Sequence, residues 1–183
     1  IEADNLKISG AGVWHTQLHF TSDKRYGGGI VFGHNSNGIE LSNLYMDSNL
    51  TSRYNEDAQY KAISGTLGKD SKIHDIWVQH FEVGMWIGDY DQTGNMKYTD
   101  GLVVENARIR NNLADGINFA QGTKNSTVKN SNIRGNGDDG LAIWSSISDG
   151  TNAAAEENNK FLNNTIESGW RAACRTELDK AEQ

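Results

Sequence analysis

Proline is absent from all 183 residues, where average usage would supply roughly nine. That excludes a Pro-rich linker. There is one cysteine, Cys174, so no disulfide can form within the chain and no cysteine zinc site can be built. Basic residues are scarce: 17 Lys and Arg face 24 Asp and Glu, a formal charge of −7. No basic run occurs, which argues against nucleic acid as a partner, because duplex binding needs clustered Lys and Arg. No apolar stretch approaches the ~20 residues of a membrane helix. No leader peptide is visible, and the chain starts at Ile1. The hydrophobic fraction is only 36%, yet five Trp, six Tyr and five Phe are too many aromatics for a disordered chain. Two residue types are abundant instead. Glycine and asparagine each number 20, and both tolerate positive φ, so the chain is provisioned for many tight turns.

Those turns recur. A short unit repeats in which an apolar residue is followed two places on by Asn or Asp and five places on by another apolar residue. The copies are Leu41, Asn43, Met46; Ile73, Asp75, Val78; Val104, Asn106, Ile109; Val128, Asn130, Ile133; and Phe161, Asn163, Ile166, offset by 32, 31, 24 and 33 residues. The best pair, residues 103–118 against 127–142, aligns Asn106 with Asn130, Ile109 with Ile133, Asn112 with Asn136, Asp115 with Asp139 and Gly116 with Gly140. Short period-2 apolar runs broken by Asn and Gly at a 24-residue period fit one coil of a parallel β-helix, with the polar residue stacking at a corner. Longer offsets are coils with inserted loops. An antiparallel sandwich is the alternative, but its strands need not repeat in register with the same polar residue. The expected fold is therefore all-β, a parallel β-helix over 1–172. Neither end carries an evident cap, so the chain reads as part of a longer solenoid. Residues 173–183 belong to a charged, helix-favouring tail, read as a capping helix or foreign sequence.

The chemistry suggested by this pattern lies in carboxylates. If the 24-residue step is one coil, Asp115 and Asp139 occupy one column about 4.8 Å apart, and Asp138 lies beside them on a different vector. Crowded carboxylates push at least one pKa upward. Hydrolysis of a glycosidic bond uses one protonated and one ionised carboxyl group. Asp-Gly is also an ordinary turn dipeptide, as in Tyr98-Thr99-Asp100-Gly101, and clustered Asp suits Ca²⁺. Spacing alone leaves catalysis, turn formation and a structural Ca²⁺ site open. The five histidines, His15, His19, His34, His74 and His80, lack metal-ligand spacing and read as structural. Gly27, Gly28 and Gly29 precede a strand-like run, not a helix, so no phosphate loop is expected. No GxSxG occurs. Trp86, Trp144 and Trp170 are candidates for stacking on pyranose rings or, equally, for the core.

The runs SRYNE (52–56), KIHDIWVQHFEVGMWIGDY (72–90), the ADGIN segment (114–118), NGDDGLAIW (136–144) and NNTIESGWRA (163–172) together resemble the bacterial α-1,3-glucanases (mutanases) of glycoside hydrolase family 87. The resemblance covers the chain to about Ala172. It implies a right-handed parallel β-helix and secreted, inverting endo-hydrolysis of α-1,3-glucan without a cofactor. It also implies Asp138 as general acid, with Asp115 and Asp139 holding and deprotonating water. Trp86, Asp89, Gln121, Trp144 and Arg171 are expected substrate contacts because they flank the same coils. A monomer acting on a polysaccharide is expected. Rival readings are a β-helix hydrolase of another linkage, dextranase- or polygalacturonase-like, and a non-catalytic carbohydrate-binding β-helix. Family members continue from the WRA motif into further coils, whereas here CRTELDKAEQ follows.

Overall fold

The computed structural model describes residues 1–22, 28–34, 36–51, 60–88, 97–145 and 155–167, with the backbone alone at Ser145 and 174–178. Every pairing between the strands is parallel. A ten-stranded sheet holds β1 (Lys7–Ser9), β2 (Gln17–Phe20), β4 (Glu40–Ser48), β6 (Lys72–Gln79), β8 (Val103–Glu105), β9 (Arg108–Arg110), β11 (Thr127–Lys129), β12 (Asn132–Arg134), β14 (Lys160–Leu162) and β15 (Thr165–Ile166). A six-stranded sheet holds β3 (Ile30–Phe32), β5 (Lys61–Gly65), β7 (Val83–Ile87), β10 (Ile117–Ala120), β13 (Leu141–Ser145) and β16 (Cys174–Leu178). The larger sheet bends at a corner. Long β4 and β6 run through it, whereas later coils break there into β8/β9, β11/β12 and β14/β15. The coil therefore has three sides, two from the larger sheet and one from the smaller. This is a parallel β-helix.

The register is the one the repeat implied. Leu41, Ile73, Val104, Val128 and Phe161 stack in one column, and Met46, Val78, Ile109, Ile133 and Ile166 in another. Most of these side chains are fully buried, and each such burial contributes about 1.5–3 kcal/mol. Between the two columns lies the corner. Asn43, Asp75, Asn106, Asn130 and Asn163 all take φ between 51° and 58°, the left-handed conformation that Asn accepts at least cost. Their side chains bond along the axis: Asn106 Nδ2 donates to Asp75 Oδ1 (3.3 Å) and Asn163 Nδ2 to Asn130 Oδ1 (2.7 Å). A second corner repeats the device, with Asn125 Nδ2 donating to Asp100 Oδ1 (2.7 Å) and Asn158 Nδ2 to Asn125 Oδ1 (3.0 Å).

The tail departs from its composition. Of the two readings of this Ala- and charge-rich segment, capping helix or foreign sequence, the helix is not what forms at Cys174–Leu178: these residues pair with β13 in register Leu141 to Cys174, adding another rung. An exposed strand edge offers a full row of backbone partners, and that gain outweighs a weak local helix preference.

Candidate active site

The smaller sheet builds the site. Its inner residues, Met85 and Ile87 on β7 and Ile117 and Phe119 on β10, lie in the core. The alternating positions therefore face outward, and register places Trp86, Asn118 and Ala142 in one outer column and Gly88, Ala120 and Trp144 near another. Just before each strand the chain turns in from the neighbouring side, and these turns stack. Ala114 N donates to Glu82 O (2.6 Å) and Asp138 N to Ala114 O (3.1 Å), which aligns Glu82, Ala114 and Asp138. Gly84 N donates to Asp115 O (3.1 Å) and Gly116 N to Asp139 O (2.8 Å), which aligns Val83, Asp115 and Asp139.

A buried amide ladder fixes these turns. Asn136 Oδ1 accepts from both Asn112 N (3.2 Å) and Asn112 Nδ2 (3.0 Å), and Asn112 Oδ1 accepts from Phe81 N (3.1 Å). The glycine after Asp115 is also structural. A Cβ on Gly116 would lie 2.4 Å from Gly140 O and 2.8 Å from Asn136 Nδ2, so no side chain fits between the coils there. Asp115-Gly116 thus divides its roles: the glycine lets the coils approach, and the aspartate carries the carboxylate.

Asp115, Asp138 and Asp139 are all at least nine-tenths buried, and one carboxylate oxygen from each lies within 4.8 Å of the others. Both oxygens of Asp115 accept: Oδ2 from Asn118 Nδ2 (2.8 Å) and Oδ1 from Asp139 N (3.2 Å). Two donors favour the ionised form of this carboxyl group. Beside the cluster, Lys61 Nζ pairs with Glu82 Oε2 at 2.7 Å and stands 5.7 Å from the centre of the Trp86 ring. Trp86 and Trp144 lie 5.6 Å apart, tilted by 60°, above a floor of Gly, Ala and Asn. From Trp86 a groove of about 430 Å³ continues over the outer face of the earlier rungs, past Lys61, Ser64, Val31 and His34. The three aspartates are also the one group among the described residues whose carboxylates could converge on a hard cation.

The column argument from sequence holds in its geometry: Asp115 and Asp139 stack one coil apart, and Asp138 sits in the neighbouring column. Trp86 and Trp144 are on the outer, groove-side face and not in the core. Gln121 follows β10 in the left-handed conformation (φ 48°), fully buried, and its amide makes no hydrogen bond among the described residues. Asp89, Arg171, Trp170 and the SRYNE run lie outside the described residues. The histidines are structural where partners are seen: His80 and His19 face Asp47 at 2.8 and 3.5 Å, and His74 faces Asp75 at 2.6 Å. Sequence reasoning overlooked Asn118 and the Lys61–Glu82 pair. Asn118 was findable, since it is the outward position three residues after Asp115. The ion pair joins residues 21 apart whose coil carries a loop of unequal length, and nothing in the repeat flags it.

The family described as alpha-1,3-glucanase catalytic domain D2 matches residues 1–181. The crystal structure of the Agl-KA catalytic domain is similar at 52% identity and TM-score 0.84, over 93% of this chain and 29% of that one. The catalytic unit of a thermostable glycoside hydrolase family 87 α-1,3-glucanase from Streptomyces thermodiastaticus is 29% identical, with TM-score 0.61 over 80% of this chain and 25% of that one. A family 87 α-1,3-glucanase catalytic-domain variant in complex with tetrasaccharides is 26% identical, with TM-score 0.76 over 96% and 29%. Among curated proteins none matches. The chain spans under a third of the length of these solved relatives.

Proposed function

The chain belongs to the α-1,3-glucanase catalytic-domain family, and from that premise we propose that the protein hydrolyses α-1,3-glucan within the chain, with inversion at the anomeric carbon. The observation that carries the proposal is the convergence of three buried carboxylates, Asp115, Asp138 and Asp139, beside the sheet whose outer face carries Trp86 and Trp144. Asp138 gives its proton to the glycosidic oxygen as the C–O bond breaks. Asp115 and Asp139 hold a water and take its proton as the water oxygen bonds to the anomeric carbon. The products are two shorter chains, and no cofactor enters the balance. The two donors on Asp115 keep it an acceptor, which suits a base. Asp138 is the member set apart in the other column, which suits an acid acting on the leaving group.

The spacing bears on stereochemistry. Ordinary inverting pairs stand about 6.5–9.5 Å apart and retaining pairs about 5–5.5 Å. Nearest oxygens within 4.8 Å therefore favour, as a second reading, a retaining reaction with one aspartate as nucleophile. Inversion remains the better reading because three carboxylates converge rather than two. An attacking water roughly 3–3.5 Å from the anomeric carbon stands roughly 4.5–5 Å from the leaving oxygen, and carboxylates approaching from the side can be equally close.

Trp86 and Trp144 supply ring faces for the sugar, and Asp89 and Arg171 are proposed as further contacts; Gln121, expected from the sequence as another, is fully buried and offers no surface to a substrate. A polymeric substrate implies action outside the cell. The test is proton NMR of the first products from an α-1,3-linked oligosaccharide. Initial appearance of the β-anomer at the new reducing end supports inversion, the α-anomer establishes retention, and no cleavage removes the hydrolase reading.

A further inference from the structure

The outer face of the larger sheet carries an arrangement that the aspartate site does not use. Register stacks Gln17, Tyr45, Trp77, Arg108, Asn132 and Thr165 in one outward row across six rungs. At about 4.8 Å per rung the row runs about 24 Å, long enough for several sugar rings. Trp14 caps its aromatic end. This side chain is 77% exposed, and its ring stands edge-on to Trp77 at 5.3 Å and 82°. Tyr45 meets Trp77 at 5.7 Å, and the Arg110 guanidinium lies 5.2 Å from the Trp77 ring centre.

These groups are fixed in place. The turn bearing Trp14 is tied by His15 N and Thr16 N donating to Gly12 O (both 2.9 Å), by Ala11 N donating to Thr16 Oγ1 (2.8 Å) and by Gly12 N donating to Asn43 O (2.9 Å). Trp77 Nε1 donates to Gln79 Oε1 (3.1 Å), and Gln79 Nε2 donates to Tyr45 Oη (2.6 Å). Arg110 Nε and Nη2 donate to Asn132 Oδ1 at 3.2 and 3.0 Å. A large ring held at the surface on a turn tied by these bonds is pre-organised for a ligand and not collapsed onto the core.

We propose that this face is a second, non-catalytic platform for a neutral polysaccharide chain, with Trp14 as its principal stacking ring. The ligand's identity as α-1,3-glucan rests on the function proposed above. The chemistry of the row selects the occupant. It has no aliphatic side chain and is made of ring faces and planar polar groups. Of the arginines on this face, Arg134 is already paired with Glu167 at 3.3 Å, which lowers the pull on a polyanion. Ring faces beside planar amide and guanidinium groups match the alternating apolar and hydroxyl surfaces of a sugar. The role of such a platform is to hold the enzyme on an insoluble polymer while the aspartates work on a different sheet.

The experiment measures depletion of the protein from solution by insoluble α-1,3-glucan, in an Asp138→Asn background, for otherwise unaltered protein, Trp14→Ala and Trp14→Phe. Binding should fall about tenfold in Trp14→Ala and largely return in Trp14→Phe. In the active protein, Trp14→Ala should lower turnover of the insoluble polymer and spare turnover of a soluble α-1,3-linked oligosaccharide. Unchanged depletion by Trp14→Ala overturns the platform, as does absence of binding by the parent. A lowered Tm with unchanged depletion also overturns it, by showing that the ring is covered by another part of the protein. Failure of the parent to cleave the soluble oligosaccharide sinks the hydrolase reading instead, and the depletion comparison still decides the platform.

Discussion

Replacing Asn118 with alanine removes the 2.8 Å bond that Asp115 Oδ2 accepts and leaves the 3.2 Å bond from Asp139 N in place. Asn118 is 4% exposed, so water does not freely replace the lost donor. A hydrogen bond to a charged group contributes about 1.5–3 kcal/mol. If that bond stabilises the ionised base, its loss moves the acidic limb of the kcat/KM profile upward by about one pH unit or more, since one unit corresponds to about 1.36 kcal/mol. Well above that limb the base is ionised again, and the residual loss reflects its freed orientation, about tenfold in kcat/KM. The assay is initial-rate hydrolysis of a soluble α-1,3-linked oligosaccharide by parent and Asn118→Ala across the pH range. A uniform loss at every pH, with the limb unmoved, would refute the assignment of Asp115 as a base held ionised by this amide.

Gly116→Ala places a Cβ 2.4 Å from Gly140 O, so it should cost at least about 1–3 kcal/mol in denaturant unfolding and depress activity by pushing Asp115 off its column. Ile109→Ala empties a fully buried position between Val78 and Ile133 and should cost about 2–5 kcal/mol by the same measurement, with kcat little changed at low temperature. Lys72 and Lys129 hold the Glu105 carboxyl below its ordinary value of 4.5. Its contribution to stability is therefore present above pH 4.5 and is lost as pH falls through the lowered value, so Glu105→Gln should flatten the acid limb of Tm against pH.

Much of this architecture was legible because a parallel β-helix writes its geometry into the sequence once per coil. The spacing of Asn43, Asp75, Asn106, Asn130 and Asn163 gave the corner, and the apolar residues on either side gave two of the three sides with correct register. The 24-residue step by itself puts Asp115 over Asp139. The smaller sheet was harder to read. Its strands follow loops of unequal length, so Lys61 and Glu82 meet through no repeated offset. The tail misled because helix propensity is a local quantity, whereas the edge of β13 that Cys174–Leu178 occupies is supplied by the rest of the fold. Trp14 also passed unnoticed: a single aromatic outside the repeat gains meaning once register sets it against Trp77.

The central claim is that the buried aspartate cluster cleaves α-1,3-glucan with Asp138 as the proton donor. Release of reducing sugar from that polymer by the protein and by Asp138→Asn, side by side and with matched circular dichroism, tests it directly. The expected result is release by the parent and a loss of nearly all turnover in the variant with the fold intact. Undiminished release by Asp138→Asn would contradict it.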